Sequence, residues 1–196
     1  MNERANEVVA LVVRALDAAG VPHMLVGSLS SNVYGVERST QDADFVIELG
    51  GRPVDPIVAA LAPVVRVEPQ VSFESVTLSP RYEAVHLPTG FGIELFMLQD
   101  DPFARARFAR RVPRQLAGVT VYLPTAEDVV VQKLRWYVRA KRAKDREDLR
   151  QVLAVQHGHL DMGYVRGWCE RHGALTVLDE LLAQIADVVR EVDRPA

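Results

Sequence analysis

Apolar residues recur three and four apart from residue 4 to residue 19. Val8, Leu11, Val12, Ala15 and Leu16 share one stripe, the period of an amphipathic helix. Gly20 and then Pro22 end it, because glycine allows the turn out of a helix and proline cannot continue one. The period next shortens to two. HMLVG (23–27) predicts a short strand, Ser28 to Tyr34 a short helix, and residues 43–49 a second strand closed by Gly50-Gly51. PVDPIVAALAPV (53–64) returns to helical spacing. QVSFESVTL (70–78), YEAVHL (82–87) and GFGIELFML (90–98) predict three strands, with turns at Ser79-Pro80 and Pro88-Thr89-Gly90. GVTVYL (118–123) predicts one more. From Thr125 the pattern is helical throughout: 125–141, 143–155, 161–172 and 174–190. The last of these carries Leu175, Leu178, Leu181, Leu182, Ile185, Val188 and Val189 as a core or interface stripe. The expected layout is an α/β (α+β) domain over residues 1–123, followed by a helical C-terminal domain over 124–196.

Composition narrows the class. With 196 residues, 48% hydrophobic and 25% charged, the chain has the ordinary makeup of a core-forming protein. A single cysteine, Cys169, excludes an internal disulfide and fits a reducing cytoplasm. The first helix carries Glu3 and Glu7, unlike a signal peptide. No apolar run approaches the roughly 18 residues of a membrane span. A cytoplasmic protein without membrane contact is expected.

Charge is unevenly placed. The net charge is −3, yet residues 105–114 hold five arginines and no acid, and residues 133–150 hold eight basic residues against three acids. These stretches are either solvated faces or a basic surface for phosphates, nucleic acid included.

The chemistry concentrates in VGSLSSNVYGVERSTQDADFVIEL (26–49). Asp42 and Asp44 are two apart on a strand, so their side chains share a face, while Ala43, Phe45, Ile47 and Leu49 take the other. Two carboxylates side by side repel unless a cation lies between them, and Mg²⁺ takes one or two carboxylates together with substrate phosphates. The pair is therefore half a metal site, or else a solvated strand end. Gly27-Ser28 follows a strand and opens a helix. There glycine lets backbone approach a ligand, and free N–H groups bind anions, although Ser28 also suits a plain N-cap. Arg38 and Thr40 add a cation and a hydroxyl just before Asp42. Glu94 shares a strand face with Phe96 and Leu98. It is either a third carboxylate beside Asp44 or an edge residue facing water.

The helical part has its own cluster. Thr125 and Asp128 mark a helix start, and Lys133 sits on the shoulder of the stripe made by Val130, Leu134, Tyr137 and Val138. From there it snorkels to water or reaches into a cleft. Asp145 and Asp148 precede Leu149 and Val152 by four positions, so they lie toward the core and call for a cation. Lys133–Asp145 is the candidate pair, as structural glue or as catalytic machinery. The five histidines have no metal-ligand spacing, there is no Cys/His zinc pattern, and Trp136 and Trp168 are read as packing residues.

Gly27-Ser28, eleven residues and then TQDADFVIEL together resemble the signature of the nucleotidyltransferase superfamily, the DNA polymerase β-like fold. PTAEDVVVQKLRWYVRAKRAKDREDL (124–149) is similar to the second half of its AbiEii-type branch, which includes the MenT toxins. The match falls on Lys133, Lys144-Asp145 and Asp148-Leu149, with Lys144 where arginine is more usual. The resemblance covers roughly residues 20–155. It implies a mixed sheet with flanking helices, followed by a helical bundle. It also implies Mg²⁺ (or Mn²⁺) on Asp42 and Asp44, with Glu94 as third ligand by position only. Gly27, Ser28, Arg38 and Thr40 would bind the NTP, with Lys133 at the triphosphate and Asp145 beside it. The MenT likeness points to NMP transfer onto RNA, the tRNA 3′ end, by the toxin of a toxin–antitoxin pair with a cognate antitoxin protein. Two alternatives stand beside it: a nucleotidyltransferase acting on a small molecule such as an antibiotic, and a non-catalytic nucleotide-binding or antitoxin-like module.

Overall fold

A computed structural model describes residues 3–192, with side chains through residue 185. The chain divides into two compact units, one of Met1–Asn32 with Glu37–Thr125, the other of Val33–Val36 with Ala126–Ala196.

The first unit opens with α1 (Glu3–Ala18), β1 (His23–Val26), α2 (Gly27–Tyr34, its last two residues in the second unit) and β2 (Asp42–Ile47). There follow α3 (Asp55–Leu61), β3 (Val65–Val67), β4 (Ser72–Phe73), β5 (Pro80–His86) and β6 (Phe91–Met97). It closes with α4 (Pro102–Ala109), β7 (Val112–Leu116) and β8 (Val119–Leu123). The main sheet runs β1-β2-β6-β5-β3, with β4 added on β5, and β7-β8 form a separate hairpin. Only β2 and β6 pair in parallel; the other neighbours are antiparallel. The sheet is therefore mixed, as the sequence resemblance implies.

Alternation along β2 gives the two faces different work. Ala43, Phe45 and Ile47 are fully buried and pack with Leu25, Ile93 and Leu95 against α1, α3 and the β8 residues Val121 and Leu123. On the opposite face Met24, Val26, Val46 and Phe96 meet Phe108 of α4 in a smaller cluster. That second face also carries Asp42 and Asp44, in register with Gly92 and Glu94 of β6.

Some elements differ from the sequence expectation. β2 ends at Ile47, and Leu49 packs at the core margin from beyond the strand. Short β3 was not anticipated; it is an apolar pair around exposed Arg66. The strand expected over 70–78 shrinks to Ser72–Phe73. Buried Glu74 accepts from the Val76 N–H (3.0 Å), the Thr77 N–H (2.7 Å) and the Thr77 hydroxyl (2.9 Å), folding 74–79 into a turn. Residues 105–114 split between α4 and β7. Asp101 caps α4 by accepting from the N–H groups of Phe103 and Ala104, with Pro102 in the first turn, where its missing N–H costs nothing.

The second unit holds α5 (Ala126–Ala140), α6 (Ala143–Val155), α7 (Met162–Arg171) and α8 (Leu175–Val192). Val130, Val131 and Leu134 of α5 are fully buried, as are Leu149 and Val165; Val152, Leu153, Leu178 and Leu181 are 1% exposed or less and Ile185 is 5%. Val188 and Val189 of the expected α8 stripe lie outside the described side chains. Cys169 is a buried free thiol whose burial pushes its pKa up to about 11, which leaves it little thiolate character. Among the described residues no helix is long and apolar enough to cross a membrane.

Phe45 is the largest of the fully buried side chains on β2. Phe45→Ala is expected to lower the unfolding free energy by about 3–5 kcal/mol. Urea unfolding measures it, and a loss under about 1 kcal/mol contradicts this packing.

Candidate functional site

The site starts from a steric constraint. β1 runs antiparallel to β2 with Val26 opposite Asp44, so the chain leaving β1 passes the Asp44 carboxylate. Gly27 has φ +65°, and a Cβ there would lie 1.8 Å from Asp44 Oδ2. No side chain fits, and the backbone conformation itself disfavours one. Ser30 and Ser31 hydroxyls donate to the Gly27 carbonyl at 2.9 and 3.1 Å, which secures the first turn of α2.

Ser28, Arg38, Thr40 and Asp42 gather at this junction. The Arg38 guanidinium donates to Ser28 Oγ at 2.7 Å. Thr40 Oγ1 donates to Asp42 Oδ1 at 2.6 Å. Asn32 holds the backbone of Arg38 from both sides: its Nδ2 donates to the Arg38 carbonyl at 2.7 Å, and its Oδ1 accepts from the Arg38 N–H at 3.3 Å. A cavity of about 510 Å³ adjoins this segment, lined by Ala5, Leu29, Asn32 and residues 37–40.

Glu94 stands beside Asp44 in the parallel register. Its carboxylate also accepts from Arg81 at 3.0 Å, and Arg81 holds Glu83 at 2.6 Å. Burial pushes the Glu94 pKa above 4.5, Arg81 opposes that rise, and the charges of Asp42 and Glu83 add to it. These groups decide whether a metal fits. Among the described residues no three His, Cys, Asp or Glu side chains are grouped to hold an ion. Glu94 stands beside Asp44 and shares the Arg81 guanidinium with Glu83. Asp42 and Asp44, both partly exposed on one strand face, fit a hard divalent cation that keeps phosphate oxygens as its other ligands.

In the second unit Lys133 does not snorkel. It is 4% exposed, with Asp145 at 0% and Asp148 at 4%. Its ammonium donates to Asp145 Oδ1 at 3.2 Å and to Asp148 Oδ2 at 2.7 Å. Arg142 Nε reaches Asp145 Oδ2 at 2.7 Å, and Trp136 lies under both cations, 5.8 Å from Lys133 and 5.3 Å from Arg142. Lys133 thus bridges two buried carboxylates, with the half-buried Arg142 on the outer side of Asp145. Asp128 is fully buried and accepts from the Tyr164 hydroxyl at 2.6 Å.

Part of each basic stretch is used in packing and in ion pairs, while Arg110, Arg114, Arg139 and Lys144 are exposed. Arg105 pairs with Glu48 and Asp100. Arg107 is buried, 5.9 Å from the Phe103 ring. Arg111 lies 4.2 Å from the Phe108 ring and 5.2 Å from that of Tyr122. In the second stretch, besides Lys133 and Arg142, Arg150 pairs with Glu147, Arg146 meets Gln184, and Lys141 covers Tyr137. Neither stretch is a row of solvated cations.

Gly27, Ser28, Arg38, Thr40, Asp42, Asp44 and Glu94 thus come together in the first unit, and Lys133 with Asp145 in the second. Sequence reasoning passed over Arg81, one residue ahead of the strand predicted from Tyr82. It also passed over Arg142, and over Asn32, whose bonds are visible only once the loop closes.

Two measurements follow. The folded state binds the Glu94 proton more tightly than the unfolded state. Its contribution to stability is therefore greatest below pH 4.5 and is lost as the pH rises through the raised folded value. In metal-free protein, carboxyl ¹³C NMR is expected to place its midpoint above 4.5, and Arg81→Met moves it higher; a midpoint at the ordinary value contradicts the assignment. Lys133→Met leaves Asp148 buried without that cation and is expected to cost about 3–5 kcal/mol in chemical denaturation, whereas a neutral outcome places the cluster in water.

No family model matches the sequence, and no curated protein does. Solved structures do share the architecture. The antibiotic-resistance factor ANT(2'')-Ia matches with a TM-score of 0.60 at 13% identity, over 92% of this chain and 99% of its own. An antigenic nucleotidyltransferase-like protein from Paracoccidioides brasiliensis matches at 0.55 and 18%, over 76% and 74%. JHP933 from Helicobacter pylori matches at 0.52 and 18%, over 93% and 79%. Identities this low carry the architecture and not the chemistry: the chain has the nucleotidyltransferase fold, a mixed sheet with flanking helices followed by a helical C-terminal part.

Proposed function

We propose that the protein is a divalent-cation-dependent nucleotidyltransferase, moving NMP from an NTP to an acceptor hydroxyl with release of pyrophosphate. The observation that carries this is the side-chain-free approach of Gly27 to Asp44, in a cluster that also holds Ser28, Arg38, Thr40 and Asp42. Asp42 and Asp44 would hold Mg²⁺ (or Mn²⁺), which supplies charge neutralisation and polarisation at the α-phosphate. The backbone at Gly27, the Ser28 hydroxyl and the Arg38 guanidinium receive the β- and γ-phosphates, where charge-assisted bonds are strong. Thr40 fixes one carboxylate oxygen of Asp42. Lys133 keeps the role that the resemblance implies, neutralising triphosphate charge, with Asp145 and Asp148 positioning its ammonium. Glu94 takes no metal in this scheme.

Two acceptors compete. A small polyhydroxylated or amine-bearing molecule is favoured by the internal use of the arginines, and by ANT(2'')-Ia, which has been crystallised with adenylyl-2''-tobramycin. An RNA acceptor, the tRNA 3′ end, in a toxin held by an antitoxin protein, is favoured by the exposed Arg110, Arg114, Arg139 and Lys144.

The test supplies each α-³²P-NTP with Mg²⁺ and either tobramycin or total tRNA, comparing wild type with Asp44→Ala. Transfer is expected to fall by about a hundredfold or more in the variant. Label on the drug selects the first acceptor, and label on tRNA selects the second. No label on either, from folded protein that still binds nucleotide, sinks both and leaves a binding module.

A further inference from the structure

The phosphate-binding role proposed for Arg38 places its guanidinium at Ser28, where it donates to Oγ at 2.7 Å. Residues 37–40 border the cavity of about 510 Å³. Two hydrogen bonds hold the backbone of this segment to α2, and both come from one side chain. Asn32 donates to the Arg38 carbonyl at 2.7 Å and accepts from the Arg38 N–H at 3.3 Å. An amide is suited to this, having a donor and an acceptor at one end, as a neighbouring strand would. Asn32 lies one helical turn after Ser28 on α2, on the same face of the helix. The residue that fixes the Arg38 backbone and the residue that receives its guanidinium are thus held on one rigid element.

From this geometry we infer that Asn32 is a positioning residue for the triphosphate, acting through Arg38 and touching no substrate itself. The inference rests on the nucleotidyl-transfer reading, because it takes Arg38 to bind phosphate. Without the clamp, the Arg38 backbone loses both of these bonds, and order lost there must be recovered when phosphate binds, at a cost in chain entropy. Asn32→Leu keeps the shape of the side chain and removes both bonds.

The experiment measures inorganic tripolyphosphate binding with Mg²⁺ by calorimetry, which is independent of the nucleobase preferred. Asn32→Leu and Arg38→Ala are each expected to weaken binding by about tenfold. The double variant is expected to be no weaker than Arg38→Ala alone, because Asn32 has nothing to position once the guanidinium is gone. Asn32→Ala, helix-favouring and smaller, takes the place of the leucine variant if that one does not unfold cooperatively. Binding by the Asn32 variant equal to wild type overturns this inference and leaves the nucleotidyl-transfer reading standing. Losses that multiply to about a hundredfold in the double variant also overturn it, since Asn32 then acts by another route. Folded wild-type protein that binds no tripolyphosphate overturns both readings together.

Discussion

The arrangement of the first unit depends on how closely the chain passes Asp44. At Gly27 a Cβ would lie 1.8 Å from Asp44 Oδ2, and the φ of +65° favours glycine there as well. That contact is reached because Val26 pairs with Asp44 across β1 and β2. A slip of one residue in this register would turn Asp42 and Asp44 into the core and Phe45 out to the other face. The burial of Ala43, Phe45 and Ile47 therefore fixes the place of the carboxylates as firmly as any polar contact does. Core and site are two readouts of one alternating pattern.

The two charged clusters differ in burial and in how their charges are arranged. In the second unit Lys133 bridges Asp145 and Asp148 at short range, and Arg142 bonds Asp145. Such a network satisfies itself, and breaking it costs more than forming it gains. On the sheet face, Arg81 is bonded to Glu83 and Glu94, and Glu94 is in register with Asp44. Asp42 and Asp44 remain partly open to solvent. A pair of carboxylates held on one strand by the packing of the opposite face is a poor way to build stability. It is a workable way to bind a divalent cation.

Much of this was legible in the sequence, for identifiable reasons. The strand and helix periods located every helix from α5 to α8 and the strands β1, β2, β6 and β8, because burial of one face dictates the spacing. The Gly27-Ser28 and Asp42–Asp44 group was legible because each of those residue types is costly where it stands unless it has a use. What escaped notice depended on chain closure. Asn32 is an ordinary helix residue until the loop after it brings Arg38 to its side chain. Glu94 was legible from its strand position, and only the pairing of β5 with β6 reveals that Arg81 bonds it. The strand expected over 70–78 gave way to the Glu74 turn because a local carboxylate offered the backbone N–H groups better partners than a neighbouring strand did.

The arginine-rich stretches show most clearly why charge along a chain is not charge on a surface. In sequence, residues 105–114 form a run of cations suited to a polyanion. Folded, Arg107 is buried near Phe103, Arg111 lies over two aromatic rings, and Arg105 pairs with acids on its own unit. The long arginine stem covers apolar surface while its planar head stacks or pairs, so each guanidinium so used contributes little to a long-range field. Counterion release, which dominates affinity for RNA, needs cations that meet phosphates instead. The number of arginines therefore overstates the pull of this protein on a nucleic acid, and the acceptor is to be sought in the chemistry beside Asp44 before it is sought in the net charge of a segment.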